Sequence, residues 1–255
     1  MPPHAGVIYG PVRSRRLGSS LGVNVLPASE KRCTFNCPYC QYGWTISDRL
    51  SESQEPAWPA PSRIVSEVAA ALDSLAARGI ALDRLTLAGH GEPTMHPAFS
   101  DIVDGLRDLR DARAPGVAIA ILSNSSTAHL PAVRAALEHL DERYMKLDAG
   151  DQDTLRRVNA TAVPIDRLVE ALASLPDVVL QTMFVSDEAG RIDNTSKRAV
   201  AAWLRAVARI RPDAVHLYTL DRRPAWAALR AVTPDFLANV AAQVRAIGTQ
   251  ALVFG

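Results

Sequence analysis

Cys33-Thr34-Phe35-Asn36-Cys37-Pro38-Tyr39-Cys40 holds every cysteine of this 255-residue chain. Thiolates are soft ligands suited to zinc, copper(I) or iron–sulfur clusters, and this spacing lets one loop turn three of them inward. Three ligands stop one short of a closed tetrahedral cage, and an open position goes with chemistry more than with scaffolding. Other readings stand beside this one. A disulfide would leave one thiol over, and nothing in the sequence points to export. A structural zinc completed by one of the six histidines suits the ligand types, although zinc knuckles usually come as two close pairs. Free cysteines are common in cores, but Asn36-Cys37-Pro38 breaks the run as a loop would. An iron–sulfur cluster is the favoured assignment.

Outward from the cysteines, strand and helix patterns alternate. Gly22–Leu26 reads as a first strand leading into the cysteine loop, and the polar, Pro-bearing stretch from Trp44 to Pro61 reads as loop. Ile64, Val65, Val68, Leu72 and Leu75 recur at helical spacing, with Ser62 as N-cap and Gly79 as stop. Leu85–Leu87 is a short strand, and Pro97 opens a helix with Phe99, Ile102, Val103, Leu106 and Leu109 on one face. Val117–Leu122 is apolar on both faces, as a buried parallel strand should be. Strands are expected again at Arg143–Leu147, Val178–Val185 and Ala214–Thr219. Helices around Val133–Leu140, Ile165–Leu175, Ala199–Ile210 and Phe236–Ile247 fill the intervals. Six such units, with Ala251–Phe254 as a short extra strand, fall short of the eight strands of a closed barrel. The expected fold is α/β: an open, partial TIM-like barrel of six βα units with parallel strands and the cluster loop after the first of them. One domain over residues 1–255 is expected, with 1–21 an N-terminal extension, 22–220 the barrel and 221–255 a helix and short strand.

The cysteine motif, with the aromatic Tyr39 before its last cysteine, resembles the signature of the radical S-adenosylmethionine (SAM) enzymes. Leu87-Ala88-Gly89-His90-Gly91-Glu92-Pro93-Thr94-Met95-His96-Pro97 looks like the glycine-rich segment that binds the SAM amino group in that superfamily. Gly10–Gly18, Leu122–Ser126, Lys146–Gly150 and Leu217–Arg222 are similar to a small branch related to the wyosine-type iron–sulfur oxidoreductases. The resemblance implies a 4Fe–4S cluster on Cys33, Cys37 and Cys40, its remaining iron binding SAM. One electron then cleaves SAM to a 5′-deoxyadenosyl radical, the cofactor supplying the chemistry and the protein the placement.

The same resemblance puts Gly89, Gly91 and Glu92 at the methionine amino group, where glycines allow close backbone approach. Ser123 and Asn124, just past the most apolar strand, are placed to meet the SAM carboxylate or ribose, roles that a loop and helix cap would equally explain. Asp148 ends one strand and Gln181 interrupts Val178-Val179-Leu180. A polar side chain there needs a partner, in the core or on the cofactor, and cofactor contact is the expectation for both. Lys146 faces either the barrel interior or solvent. His96 reads as part of a turn, and His90 as weakly placed toward the pocket. Arg13, Arg15 and Arg16 before the first strand, and Asp221, Arg222 and Arg223 after the sixth, would flank the barrel mouth. Arg15, Arg16 and Arg222 are the candidates for recognising an anionic substrate.

Net charge is +1, which gives no general pull toward nucleic acid. Mean hydropathy is +0.01, no run approaches membrane-spanning length, and Met1–Gly6 has no apolar signal core. A cytoplasmic enzyme acting on a small molecule is expected, fed electrons by a flavodoxin or ferredoxin. Wyosine-type tRNA enzymes use a second cluster, for which this chain has no spare cysteines. A tRNA base-modifying enzyme, a glycyl-radical activase and a non-catalytic metal-binding module are the alternatives.

Overall fold

The computed structural model describes residues 6–45 and 58–254. The expectations for Met1–Ala5 and for residues 46–57 of the Trp44–Pro61 stretch lie outside the described residues. β1 (Ile8–Ser14) and β2 (Gly18–Val23) form an antiparallel hairpin. Then follow α1 (Pro61–Ala77), β3 (Arg84–Leu87), α2 (Phe99–Arg113), β4 (Ala118–Ser123), α3 (Pro131–Glu138), β5 (Glu142–Lys146), α4 (Gln152–Asn159), α5 (Ile165–Ala173) and β6 (Val178–Met183). β7 (Val185–Asp187), α6 (Lys197–Ile210), β8 (Ala214–Tyr218), β9 (Leu229–Ala231), α7 (Pro234–Ala246) and β10 (Gln250–Phe254) complete the chain.

Eight strands share one sheet in the order β1-β2-β3-β4-β5-β6-β8-β10, while β7 and β9 pair separately. Every neighbouring pair from β2 to β10 is parallel. β1 and β10 are therefore the free edges, and the barrel is open between them. Alternation divides the side chains. Leu85, Leu87, Ile119, Ile121, Met145, Leu180, Val215 and Leu217 pack outward in the main core. Leu17, Ala120 and Tyr144, joined by Leu122 and Val179, form a second, smaller cluster inside the barrel.

Two features depart from the expectations. Residues 1–21 are not a mere extension, because Ile8–Ser14 and Gly18–Val23 pair with each other. The first parallel strand is thus Gly18–Val23, second in chain order, and the cysteine loop follows it. Gly10-Pro11 and Arg13 in β1 mask an apolar alternation that an edge strand does not need. Ser62 does not cap α1. The N-cap is Ala60 with no side-chain bond, and Pro61 takes the first turn, where its missing N–H costs nothing. As expected, Ala251–Phe254 adds a short strand, paired on β8 from Gln250 to Phe254.

Candidate active site

The cysteine loop is docked at the C-terminal ends of the strands, where parallel α/β folds gather their functional groups. Its start pairs with the glycine-rich segment: Arg32 N donates to His90 O at 3.2 Å and Glu92 N to Arg32 O at 2.8 Å. Gly91 permits this approach, since a Cβ there would stand 1.7 Å from Arg32 O. Gly89 likewise leaves room for the buried Asn24, whose Oδ1 a Cβ would meet at 2.1 Å. Farther along, Asn36 N donates to Asn159 O at 3.0 Å and Trp226 N to Pro38 O at 2.8 Å. The loop is held from three sides.

Cys37 is buried and Cys33 and Cys40 half-buried. Asn124 Nδ2 donates to Cys33 Sγ at 3.5 Å and Asn159 Nδ2 to Cys37 Sγ at 3.4 Å. Burial pushes the Cys33 thiol up to about 12, with Cys37 and Glu92 adding to the shift. Burial also raises Cys37, against the pull of Lys146. Without metal both are thiols at neutral pH, and metal binding would release their protons.

Tyr39 lies under the loop, and its hydroxyl donates to Asp148 Oδ2 in a short hydrogen bond. Asn159 Nδ2 donates to Tyr39 Oη and to Asp148 Oδ2, each at 2.7 Å. Asp148 Oδ1 accepts from Met183 N at 2.9 Å and from Lys146 Nζ at 3.3 Å. Lys146 faces the barrel interior and also donates to Tyr218 Oη at 3.0 Å. Burial opposes its charge, but Asp148 and Tyr218 outweigh that and raise its pKa. Asn159 escaped the sequence reading. The Asp151 cap on Thr154 N marks the helix that carries it, but nothing local marks its partners more than 100 residues away.

Glu92, at the end of the glycine-rich segment, is buried. Its carboxylate accepts four hydrogen bonds, from Thr94 N, Thr94 Oγ1 and Ser123 Oγ on Oε1 and from Asn124 N on Oε2. Burial raises its pKa against these bonds. Ser123 and Asn124 are correspondingly spent on Glu92, Cys33 and Thr34. His90 is fully buried with Nε2 on Pro27 O at 2.7 Å, and His96 holds the turn through Pro59 O and Ala98 N. Of the candidate arginines, Arg13 is exposed on β1 and Arg15 pairs with Asp221 at 3.0 Å. Arg222 donates to Gln41 of the cysteine loop. Arg16 alone turns inward, to Gln181 Oε1 at 3.2 Å and over the Tyr218 ring at 4.4 Å.

Residues 31–187, which contain the cysteine loop, the glycine-rich segment and the Asp148 network, match the Radical SAM superfamily. This chain belongs to that superfamily. It is 30% identical over 226 residues to a UPF0026 protein of Helicobacter pylori, covering 85% of this chain and 67% of that protein. It is 28% identical over 218 residues to a protein named GTPase Obg from Brachyspira hyodysenteriae, covering 85% of this chain but only 30% of that one. A radical SAM methyltransferase from Sphaerobacter thermophilus shares the fold at TM-score 0.68 and 17% identity, over 92% of this chain and 65% of that one. The chain thus spans less than two thirds of the Obg-named relative and of the methyltransferase.

Superfamily membership implies an enzyme with a 4Fe–4S cluster and SAM. The donor set fits that cluster. Among the described residues no group of three His, Cys, Asp or Glu side chains is gathered around a single metal ion. A four-iron cluster asks for each thiolate on a different iron. No described helix is long and apolar enough to cross a membrane.

Proposed function

We propose that Cys33, Cys37 and Cys40 hold a 4Fe–4S cluster with SAM at its free iron, and that the chain takes a hydrogen atom from a small molecule bound inside the barrel. The carrying observation is that the cysteine loop hangs, through Tyr39 and Asp148, directly over a barrel interior lined by Lys146, Gln181 and Tyr218. When bound, cluster and SAM supply the 5′-deoxyadenosyl radical on receipt of one electron, from a flavodoxin- or ferredoxin-type donor in a cytoplasmic setting.

This chain's own residues do the rest. Gly89 and Gly91 leave the backbone of the glycine-rich segment open to the methionine amino group. Glu92 acts on that group indirectly, by holding the Ser123 hydroxyl and the Asn124 backbone N–H. Asn124 and Asn159 direct N–H groups at two of the sulfurs, a recognised means of tuning a cluster's potential. Lys146 is a fixed ammonium held between Asp148, whose charge it balances, and Tyr218. At the opposite end, Arg84 grips Glu142 through two bonds of 2.5 and 2.7 Å and donates to Leu17 O at 2.9 Å.

The test is anaerobic reconstitution with iron and sulfide, followed by dithionite and SAM, with chromatography for 5′-deoxyadenosine. Formation that disappears in Cys37→Ala supports the reading. A chain that takes up zinc and no iron–sulfur cluster overturns it.

A further inference from the structure

The barrel interior has a charge left over. Among the described residues, three cationic side chains enter it. Arg84 is matched by Glu142, and Lys146 by Asp148 at 3.3 Å. Arg16 has no carboxylate partner among the described residues. Its guanidinium is held by Gln181 Oε1 at 3.2 Å and by the face of Tyr218 at 4.4 Å. Stacking on an aromatic ring fixes the plane of a guanidinium without neutralising it.

A second observation lies beside it. A guanidinium only donates, so Gln181 must turn its oxygen to Arg16 and its amide nitrogen away. That nitrogen, Gln181 Nε2, is buried without a partner, and so is Nδ1 of His216. Both residues are only 6% exposed. The two stand directly opposite each other, Gln181 on β6 against His216 on β8, and on the interior face. Native proteins rarely leave such groups unpaired, because each costs about 1–3 kcal/mol. Arg16, the Gln181 amide, Tyr218 and Lys146 all offer donors toward this space. The nearest carboxylates are already spent on Arg84 and Lys146.

We propose that Arg16 and Gln181 form a cradle for a carboxylate group of the substrate. This rests on the radical reading above and adds the substrate's chemical class. Charge decides between anions. One unmatched guanidinium balances one negative charge, which a carboxylate carries, whereas a phosphate monoester carries nearly two. His216 adds no second charge, since burial and Arg16 hold its pKa near about 4, against the opposing pull of Glu142. The hairpin between β1 and β2 is then a specificity element. Its turn is tied to the segment after β8 by the Arg15–Asp221 pair and brings Arg16 onto Gln181 and Tyr218.

The test uses the reconstituted full chain without reductant or SAM, titrated with acetate and with its neutral isostere acetamide by ligand-observed NMR. Acetate is expected to bind with a Kd of order millimolar and acetamide at least about tenfold more weakly, the gap of a charge-assisted bond. Arg16→Gln should weaken acetate by about tenfold or more, and Arg13→Gln should leave it unchanged. Gln181→Glu keeps the side-chain shape and gives Arg16 the partner it lacks. That variant should unfold at a temperature no lower than wild type yet lose acetate, so misfolding cannot explain the loss. The cradle is overturned if wild type binds no acetate, if acetamide binds as well, or if Arg16→Gln binds like wild type. Displacement of acetate by SAM would give the cradle to the cofactor's own carboxylate and overturn the substrate assignment. Acetate binding does not require SAM cleavage. Wild type that holds acetate in this way but forms no 5′-deoxyadenosine loses the radical reading alone, and the reverse result loses the cradle alone.

Discussion

Glu92 Oε2 accepts the backbone N–H of Asn124 at 2.5 Å, tying the turn after β3 to the turn after β4. Three further donors converge on the same buried carboxylate. Glu92→Ala removes the acceptor of Thr94 N, Ser123 Oγ and Asn124 N in a place water does not reach, while Thr94 Oγ1 keeps Thr127 Oγ1 within reach. The expected loss is about 3 kcal/mol or more, because bonds to a charged acceptor are worth about 1.5–3 kcal/mol each and are only partly recovered by relaxation. Glu92→Gln keeps one oxygen and should cost less. Urea denaturation of the two variants decides, and equal, near-zero losses would remove Glu92 from the frame of the site.

Gly91 makes a different prediction. The Cβ of Gly91→Ala would collide with Arg32 O, which is backbone and cannot swing aside. The paired segment Arg32–Gly91 should separate and carry Cys33 away from its place. Iron bound per chain after reconstitution should fall to less than about half, from a full complement of about four, while the circular dichroism of the barrel persists. Gly116→Ala, with nothing within 4 Å of its Cβ, is the control and should load normally. Full iron loading of Gly91→Ala would mean that the loop docks independently of this contact.

The Lys146–Asp148 pair can be read by a double-mutant cycle. Asp148 has a fully buried side chain and Lys146 one that is 19% exposed. Asp148→Ala strands the ammonium as well as Tyr39 and Asn159, and should cost about 3–5 kcal/mol. Adding Lys146→Met removes the stranded charge and should recover a good part of that loss. Additive losses would show that the two side chains act independently.

The sheet was legible because buried parallel strands are continuous apolar runs. Ala118–Leu122 and Val178–Leu180 announce themselves. The hairpin was not, since an edge strand needs no apolar face, and Tyr9-Gly10-Pro11-Val12-Arg13 carries no alternation. β7 and β9, three residues each, are too short for periodicity to register. In the site, local sequence identified the ligands and the tight glycines, because thiol spacing and close backbone approach are local properties. Glu92 turned inward because its partners, Ser123 and Asn124, arrive from another strand. The same holds for Asn159 on Cys37 and Arg16 on Gln181, separated by 122 and 165 positions. Such pairs exist only after the barrel has formed.

His216 ties stability to pH. Its ring faces Arg16 from the hairpin turn, Glu142 and Tyr144 from β5, Gln181 from β6 and Phe254 from β10. Burial, then Arg16, lower its pKa to about 4 in the folded chain, against an ordinary 6.5. Below pH 6.5 the unfolded chain takes up the proton first, so unfolding is coupled to about one proton and stability falls with pH. The contribution is complete above about pH 6.5 and is lost progressively toward pH 4. His216→Phe cannot take up that proton. Its melting temperature should fall less steeply than that of wild type between pH 6.5 and 4, whatever their difference at neutral pH. Parallel curves across that window would show that His216 is already protonated in the folded barrel, with Glu142 outweighing Arg16.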